Sequence, residues 1–154
     1  MAHPPIPTSI ELQIVTPDRA IVKEQVDEVE VPGTMGYFGV LPGHRPMLAA
    51  LSVGELWYRK GQEKIYLSIA YGFVEVLPDR VTVLARIAEK AEEIDVTRAE
   101  EAKKRAEARL QDAKDVDYDR ARAALQKSLS RLQVASRISF AGRVGHKRMP
   151  PPQG

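Results

Sequence analysis

Residues 31–47 read VPGTMGYFGVLPGHRPM and contain four glycines and three prolines. Glycine permits positive φ and proline fixes φ at about −65°, so this stretch is neither a helix interior nor a regular central strand. It predicts two tight turns separated by one short apolar strand at 37–41. Met35, Tyr37 and Phe38 lie at or near the first turn, where large apolar side chains usually need cover. The stretch therefore predicts either a well-packed β corner or a tip that docks on a partner.

Composition is typical of an ordinary globular protein. The 154 residues allow one domain, or a small domain with an appendage. Hydrophobic residues make up 44%, charged residues 29%, and the formal charge is +2. The absence of cysteine excludes disulfides, thiol nucleophiles and zinc–thiolate sites. No apolar run approaches the roughly 18 residues that cross a bilayer, and no secretory signal is visible. We therefore expect a soluble intracellular protein.

The first half of the chain predicts many short strands. Residues 1–8 are rich in proline and predict a flexible N-terminal arm, distinct from the helical region described below. From 9 to 88, short apolar and alternating segments follow one another with turns between them and no intervening helix. This pattern predicts an antiparallel β-sandwich of about ten short strands. The dipeptides at 61–62 and 71–72 are interpreted as tight hairpin turns between successive strands.

The pattern changes at Ala88, and from there to Ile138 the chain has neither glycine nor proline. Alanine and charged residues dominate, with turn and cap formers near 114–117. Asp95 or Thr97 can cap a first helix, and a short link between two helices predicts an antiparallel hairpin. The predicted segments are a linker at 89–94, a helix–turn–helix hairpin at 95–140 and a flexible basic and proline-rich tail at 141–154.

Small residues form the predicted seam of the hairpin, and they include Ala99, Ala102 and Ala106 in the first helix. A buried alanine methyl contributes only about 0.8 kcal/mol, against roughly 1.5–3 kcal/mol for a leucine side chain. The seam is therefore weak. A second face carries Leu125, Leu129 and Leu132, which need a partner on the sandwich or on another protein. A weak seam with a second apolar face predicts an arm that has two docked states.

Catalysis is not predicted. Of three histidines, His3 and His146 lie in the terminal segments and His44 lies in the glycine–proline stretch, where it suits a turn. No HExxH, Walker-type loop or GxSxG is present. The loop at 33–36 resembles a phosphate cradle, but neither lysine nor a helix start follows it. The acidic residues at 27, 28 and 30 alternate on a strand, so a metal cluster is not predicted either.

Three segments together resemble one family. VPGTMGYFGVLPGHRPML at 31–48, AYGFVEV at 70–76 and the charged, alanine-rich helices are similar to the epsilon subunit of bacterial F-type ATP synthases. The resemblance spans about 9 to 138. It implies a non-catalytic rotor-stalk subunit of a proton-translocating ATP synthase, at the cytoplasmic face of the cell membrane. The implied partners are the gamma subunit, the c-ring and the alpha/beta catalytic head; no nucleic acid is implied, and the membrane is met only through the complex.

The resemblance also implies three sets of functional residues. Those that dock on the c-ring and gamma are Gly33, Thr34, Met35, Gly36, Tyr37, Phe38 and His44. Those that inhibit hydrolysis by contacting beta when the hairpin is extended are Arg120, Arg122, Lys127, Arg131 and Arg137. The motif at 94–99, IDVTRA, matches an ATP-binding motif of some bacterial epsilon subunits. The implied ATP site consists of Glu89, Ile94, Asp95, Arg98, Ala99, Arg105, Lys127 and Arg131.

Lys127 departs from the family pattern, because an arginine is usual at that position. Lysine faces a phosphate as a point charge and lacks the bidentate fork of arginine. The implied role of ATP is that of a regulatory ligand, and no cofactor is required.

The residues themselves leave an alternative open. A stand-alone adaptor or nucleic-acid-binding module would use the basic second helix and the tail. The aromatic residues available for base stacking there are Tyr118 and Phe140, which is few for that function. A small-molecule enzyme ranks third, because it lacks a nucleophile or a base.

Overall fold

The computed structural model describes residues 2–112 and 115–144, with side chains described at 2–112 and 117–138. The strands are β1 (Ile10–Val15), β2 (Ala20–Val26), β3 (Glu28–Gly33), β4 (Gly36–Val40), β5 (Met47–Lys60), β6 (Glu63–Leu77) and β7 (Arg80–Lys90). A 3₁₀ turn (Ala91–Glu93) and the helices α1 (Val96–Asp112) and α2 (Asp115–Val144) follow. The predicted β domain followed by a helical hairpin is confirmed.

The strands form one seven-stranded mixed sheet in the order β2-β1-β7-β6-β5-β3-β4. All neighbours pair antiparallel except β1 and β7, which are parallel. This pair departs from the expected all-antiparallel arrangement. The sheet encloses one core, in which Ile10, Leu12 and Ile14 of β1 are fully buried, as their alternation predicts.

Two long strands explain why there are seven strands in the described ranges and not about ten. β5 runs without a break from Met47 to Lys60, and β6 continues through Tyr71 and Gly72. Their φ values are 60° and 126°, yet Gly72 pairs with both neighbouring strands. The hairpin turn predicted at 71–72 is therefore wrong, because this pair is an irregularity within a continuous strand. A Cβ at position 72 would collide with the carbonyl oxygen of Leu84, so the site requires glycine. By contrast, Gly61 and Gln62 do form a two-residue hairpin turn between Lys60 and Glu63.

The two helices pack along each other through small residues. Ala99 and Ala106 of α1 and Ala121 and Ser128 of α2 are buried, which confirms a small-residue seam. Leu129 remains 45% exposed, so the leucine face is only partly covered. α2 lies against β5 and β6.

The element boundaries differ from the predicted ones at two places. β7 continues to Lys90, so Glu89 lies in the sheet and not in a linker. α2 continues to Val144, so residues 141–144 of the predicted tail are helical, and the rest of that tail lies outside the described residues. At the N-terminus, residues 2–9 contain neither helix nor strand, and a methyl of Ile6 lies beside Gly43. Among the helices described, none is long and apolar enough to span a membrane.

Candidate regulatory site between the hairpin and the sheet

A row of three polar side chains crosses the sheet where α2 lies on it. Glu55 of β5 pairs with Ser68 of β6, and Ser68 pairs with Glu89 of β7. Directly paired residues project to the same face of a sheet. The row therefore presents two carboxylates and one hydroxyl to the helix.

Two arginines of α2 bind the two carboxylates of this row. Arg131 donates from Nε and Nη2 to Glu89, at 2.7 and 3.2 Å. Arg137 donates from Nε and Nη2 to Glu55, at 3.0 and 2.9 Å. Bidentate arginine–carboxylate pairs fix orientation as well as distance. The two pairs therefore hold α2 on the sheet in one register.

The rest of the contact between the helical hairpin, α1 and α2, which we call the arm, and the sheet is small. The hydroxyl oxygens of Ser68 and Ser130 lie 3.1 Å apart. The apolar part is a cluster of Ala91, Ile94 and Val134, against which Tyr66 and Ala135 pack. Only one residue of this cluster, Val134, is both fully buried and on α2. The arm is thus docked mainly by polar contacts.

The environment of Arg137 keeps it charged. Its hydrogen bond to Glu55, opposed by partial burial, raises the pKa of Arg137 above its ordinary value. A raised pKa means that the contribution of this guanidinium is fully present below its ordinary pKa and is lost only above it. The guanidinium also lies 5.0 Å above the ring centroid of Tyr66. The guanidinium of Arg137 therefore stays charged at physiological pH.

A cleft of about 620 Å³ lies between the hairpin and the sheet. Among the described residues, the lining has five basic side chains and one carboxylate, that of Glu89; the basic residues are Arg98, Arg109, Arg120, Lys127 and Arg131. Small and apolar side chains, among them Val53, Ala70 and Ile87, complete the lining. A cleft of this size with convergent cations and apolar walls suits a small ligand that has several negative charges and an apolar part.

The structure brings together half of the residues of the predicted ATP site. Glu89, Arg98, Lys127 and Arg131 line the cleft. Ile94 and Ala99 are buried and are not part of the cleft lining. Asp95 accepts a hydrogen bond from the Arg98 N–H at 3.1 Å, so Asp95 and not Thr97 caps α1. Arg105 is exposed and lies outside the cleft lining. The motif at 94–99 therefore has a structural role in starting and packing α1, whatever the cleft binds.

The sequence-based site did not include Arg109, and it assigned Arg120 only to inhibition. Arg98 and Arg109 are eleven residues apart, which is about three helical turns, so they share one face of α1. The sequence alone could therefore have indicated that Arg109 shares a face with Arg98. The antiparallel placement of α2, which the structure shows, was needed to bring Arg120 to the same cleft.

Lys127 has an aromatic neighbour in the sheet. Its Nζ lies 5.3 Å from the ring centroid of Tyr71, a cation–π distance. Tyr71 is the residue with positive φ in the irregular part of β6. The irregularity that the sequence presented as a turn thus places an aromatic ring below the basic face of α2.

The β3–β4 hairpin carries most of the predicted docking residues. Gly33 pairs with Gly36, so Thr34 and Met35 form its two-residue tip. Met35 is fully exposed. Because it is the outermost apolar side chain of the hairpin, the tip is free to contact a partner.

The remaining docking residues are attached to the domain. Phe38 packs against the core. Tyr37 is 58% exposed, and its hydroxyl accepts a hydrogen bond from the backbone N–H of Glu55 at 3.3 Å. His44 lies in the next turn, where its Nδ1 is 2.7 Å from the carbonyl oxygen of Arg45. These contacts give the hairpin a fixed base below its exposed tip.

The predicted inhibitory cations divide into two groups in the docked arm. Arg131 and Arg137 are paired with carboxylates of the sheet, and Lys127 lies over Tyr71. Arg120 and Arg122 are exposed. No cluster of three or more potential metal ligands occurs among the described residues.

Comparisons with known proteins agree with this architecture. Two family models match consecutive parts of the chain: the ATP synthase delta/epsilon chain beta-sandwich domain at residues 9–91 and the delta/epsilon chain long alpha-helix domain at residues 92–136. The class is thus a β-sandwich subunit with a helical C-terminal arm. The chain belongs to the ATP synthase delta/epsilon chain family.

Individual relatives support this membership. The ATP synthase epsilon chain of Koribacter versatilis is 55% identical over 103 residues, which cover 67% of this chain and 72% of the relative. The epsilon chain of Syntrophobacter fumaroxidans is 54% identical over 105 residues, covering 68% and 78%. A chain in the OSCP/F1/c-ring structure of the Euglena gracilis mitochondrial ATP synthase superposes with a TM-score of 0.73 at 25% identity, covering 91% of this chain and 85% of that one.

The resemblance to an epsilon subunit is confirmed. The chain is accordingly a non-catalytic stalk subunit, and ATP synthesis and ion transport belong to the complex.

Proposed function

We propose that this chain docks on the gamma subunit and the c-ring through its sandwich and inhibits ATP hydrolysis through its helical arm. In the docked state described above, the arm permits ATP hydrolysis by the complex. When it leaves the sheet and extends towards the alpha/beta head, its basic residues contact beta and obstruct rotation. In this proposal the subunit works at the cytoplasmic face of the cell membrane, and the coupling ion is the proton.

The polar character of the contact between α2 and the sheet is the observation that carries this proposal. An apolar interface of the same extent would expose hydrophobic surface on opening, whereas carboxylates, arginines and serines are readily hydrated. The weak alanine seam and the small cluster around Val134 add little apolar burial. The arm is therefore well placed to undock at modest cost in free energy.

We further propose that ATP stabilises the docked arm by binding in the cleft. The cations from α1 and α2 suit a triphosphate, and the apolar lining suits a base or ribose. A ligand that bridges both helices and the sheet binds the docked state only, so it shifts the balance towards that state. At 100 times its dissociation constant, the shift is about 2.7 kcal/mol.

Removal of the arm tests the inhibitory role. We expect a chain that ends after residue 94 to raise ATP hydrolysis by the reconstituted complex several-fold, because the sandwich still docks but cannot obstruct. A chain that ends after residue 144 is the matched control, since it keeps both helices and should hydrolyse ATP at the rate of the full chain. Equal rates with and without the arm, at equal incorporation into the complex, would refute the inhibitory role.

A further inference from the structure

We propose that Glu55 and Arg137 form a latch that holds the arm on the sheet independently of nucleotide. The proposal deepens the function proposed above, because it names the contact that sets the balance between docked and undocked arm. Neither residue lines the cleft, whereas Arg131 and Glu89 do. A ligand in the cleft would therefore meet the Arg131–Glu89 pair and leave the Glu55–Arg137 pair intact.

The two members of the latch differ in exposure. The side chain of Glu55 is 9% exposed and that of Arg137 is 42% exposed. The carboxylate is thus the fixed, covered partner, and the guanidinium approaches it from the solvent side on a helix. A covered carboxylate that keeps its charge needs a paired cation, and removing that cation is strongly unfavourable.

The backbone around Glu55 makes its position rigid. Glu55 pairs with Ser68 within the regular ladder between β5 and β6, and its N–H donates to the Tyr37 hydroxyl. At Gly54, a Cβ would collide with that same hydroxyl. Glu55 is therefore held by the β3–β4 hairpin on one side while its carboxylate holds the arm on the other.

Arg137 also lies near the end of the described side chains of α2, six residues beyond Arg131. The two pairs are thus separated along the helix by more than one turn. Loss of the outer pair would let the part of α2 beyond Arg131 lift from the sheet while Arg131 still holds. Among the ion pairs formed by the described side chains of α2, the latch is thus the one nearest the C-terminal end, where an opening arm would start to separate.

The test is amide hydrogen exchange of the isolated full chain, comparing Glu55→Gln and Arg137→Gln with the parent. Glu55→Gln keeps the shape of the side chain and removes its charge, whereas Arg137→Gln shortens the side chain and removes the guanidinium charge. We expect exchange of α2 amides to rise by about tenfold or more in each variant. The double variant should rise no further than the more affected single variant, because both changes remove the same contact.

Matched controls are Glu75→Gln and Arg122→Gln, which remove an exposed carboxylate from β6 and an exposed guanidinium from α2. They should leave α2 exchange unchanged. If Glu55→Gln also raises exchange of the amides of β6 and β7, that variant has disturbed the sheet itself. Arg137→Gln then tests the latch alone, because the exposed side chain of Arg137 is not part of the sheet. Unchanged α2 exchange in Arg137→Gln would overturn the latch, as would a fully additive double variant.

ATP hydrolysis by the reconstituted complex separates the latch from the inhibitory role. Glu55→Gln frees the arm while keeping all of its cations, so it should lower hydrolysis. Faster exchange with unchanged hydrolysis would support the latch and count against inhibition by the arm. Unchanged exchange would overturn the latch whatever the rate of hydrolysis.

Discussion

At the scale of single residues, Lys127 shows how one side chain can set the strength of the proposed nucleotide site. It lies over Tyr71 and lines the cleft with a compact point charge. An arginine there would present a planar fork that matches a phosphate with two hydrogen bonds and stacks well on an aromatic ring. The lysine is therefore expected to give weaker ATP binding than an arginine would.

We predict that Lys127→Arg tightens ATP binding about three- to tenfold, since charge-assisted bidentate contacts are stronger than single ones. Calorimetric titration of the full chain with ATP measures the effect. Lys104→Arg, at an exposed position of α1, makes the same chemical change away from the cleft and should not alter the affinity. Equal affinities of the Lys127→Arg variant and the parent would show that position 127 does not contact the phosphates.

At the scale of elements, the close packing of the two helices limits the size of the side chains that α1 can carry where it faces α2. Ala106 is 2% exposed, so its methyl fills the space where α1 meets α2. A leucine at this position would force the helices apart, and overpacking of this kind costs about 1–3 kcal/mol.

We therefore predict that Ala106→Leu lowers the temperature at which the hairpin melts and leaves the sandwich folded. Circular dichroism follows the helices, and fluorescence of Trp57 in β5 follows the sheet. Ala108→Leu, two positions further along and exposed, is the control and should melt like the parent. A common melting temperature for Ala106→Leu and the control would contradict a tight seam.

The elements also show what could be predicted from the chain alone. The alternation of Ile10, Leu12 and Ile14 and the glycine-free helical region depend on local periodicity, which is visible in a sequence. Whether β6 stops at Tyr71 depends on whether its neighbours continue past that point. Gly72 serves a close approach to Leu84 and not a reversal of the chain, and both uses of glycine look the same in sequence.

The candidate site was predictable only in part, for a related reason. The motif that starts α1 is local, so Asp95 was predicted as a cap from the residues alone, whereas Arg98 was proposed as a site residue through the family resemblance. The Arg137–Glu55 pair joins positions 82 residues apart, and its assignment requires knowing which turn of α2 lies over which row of the sheet. The sequence shows a carboxylate in a largely apolar strand and two arginines six apart, but it does not pair them.

At the scale of the whole molecule, one buried phenol links the stability of the sandwich to alkaline pH. Burial, with smaller contributions from the charges of Glu24, Glu92 and Glu63, raises the pKa of Tyr58 from 10.0 to about 12. A group whose pKa is raised by folding contributes stability that is fully present below pH 10 and is lost as the pH rises towards 12.

We predict that the free energy of unfolding falls by about 2 kcal/mol between pH 9 and 12 from this group alone. Urea unfolding at a series of pH values measures the fall, and the difference in phenolate absorbance between the parent and Tyr58→Phe separates the titration of Tyr58 from that of the other tyrosines. The Tyr58→Phe variant has no group to ionise there and should lose less stability over the same range. An equal fall in both proteins would mean that other groups govern the alkaline limit.

The paired arginines of α2 have a consequence for how the arm moves relative to the sheet in the proposed mechanism. Sliding α2 by one helical turn, about 5.4 Å, would bring Lys127 and Gln133 opposite Glu89 and Glu55, and Gln133 cannot neutralise the covered carboxylate. In the proposed mechanism, shifted registers are thus disfavoured, and the arm is either docked in its one register or undocked from the sheet. Such an arm would give its neighbours a two-state signal and not a graded one.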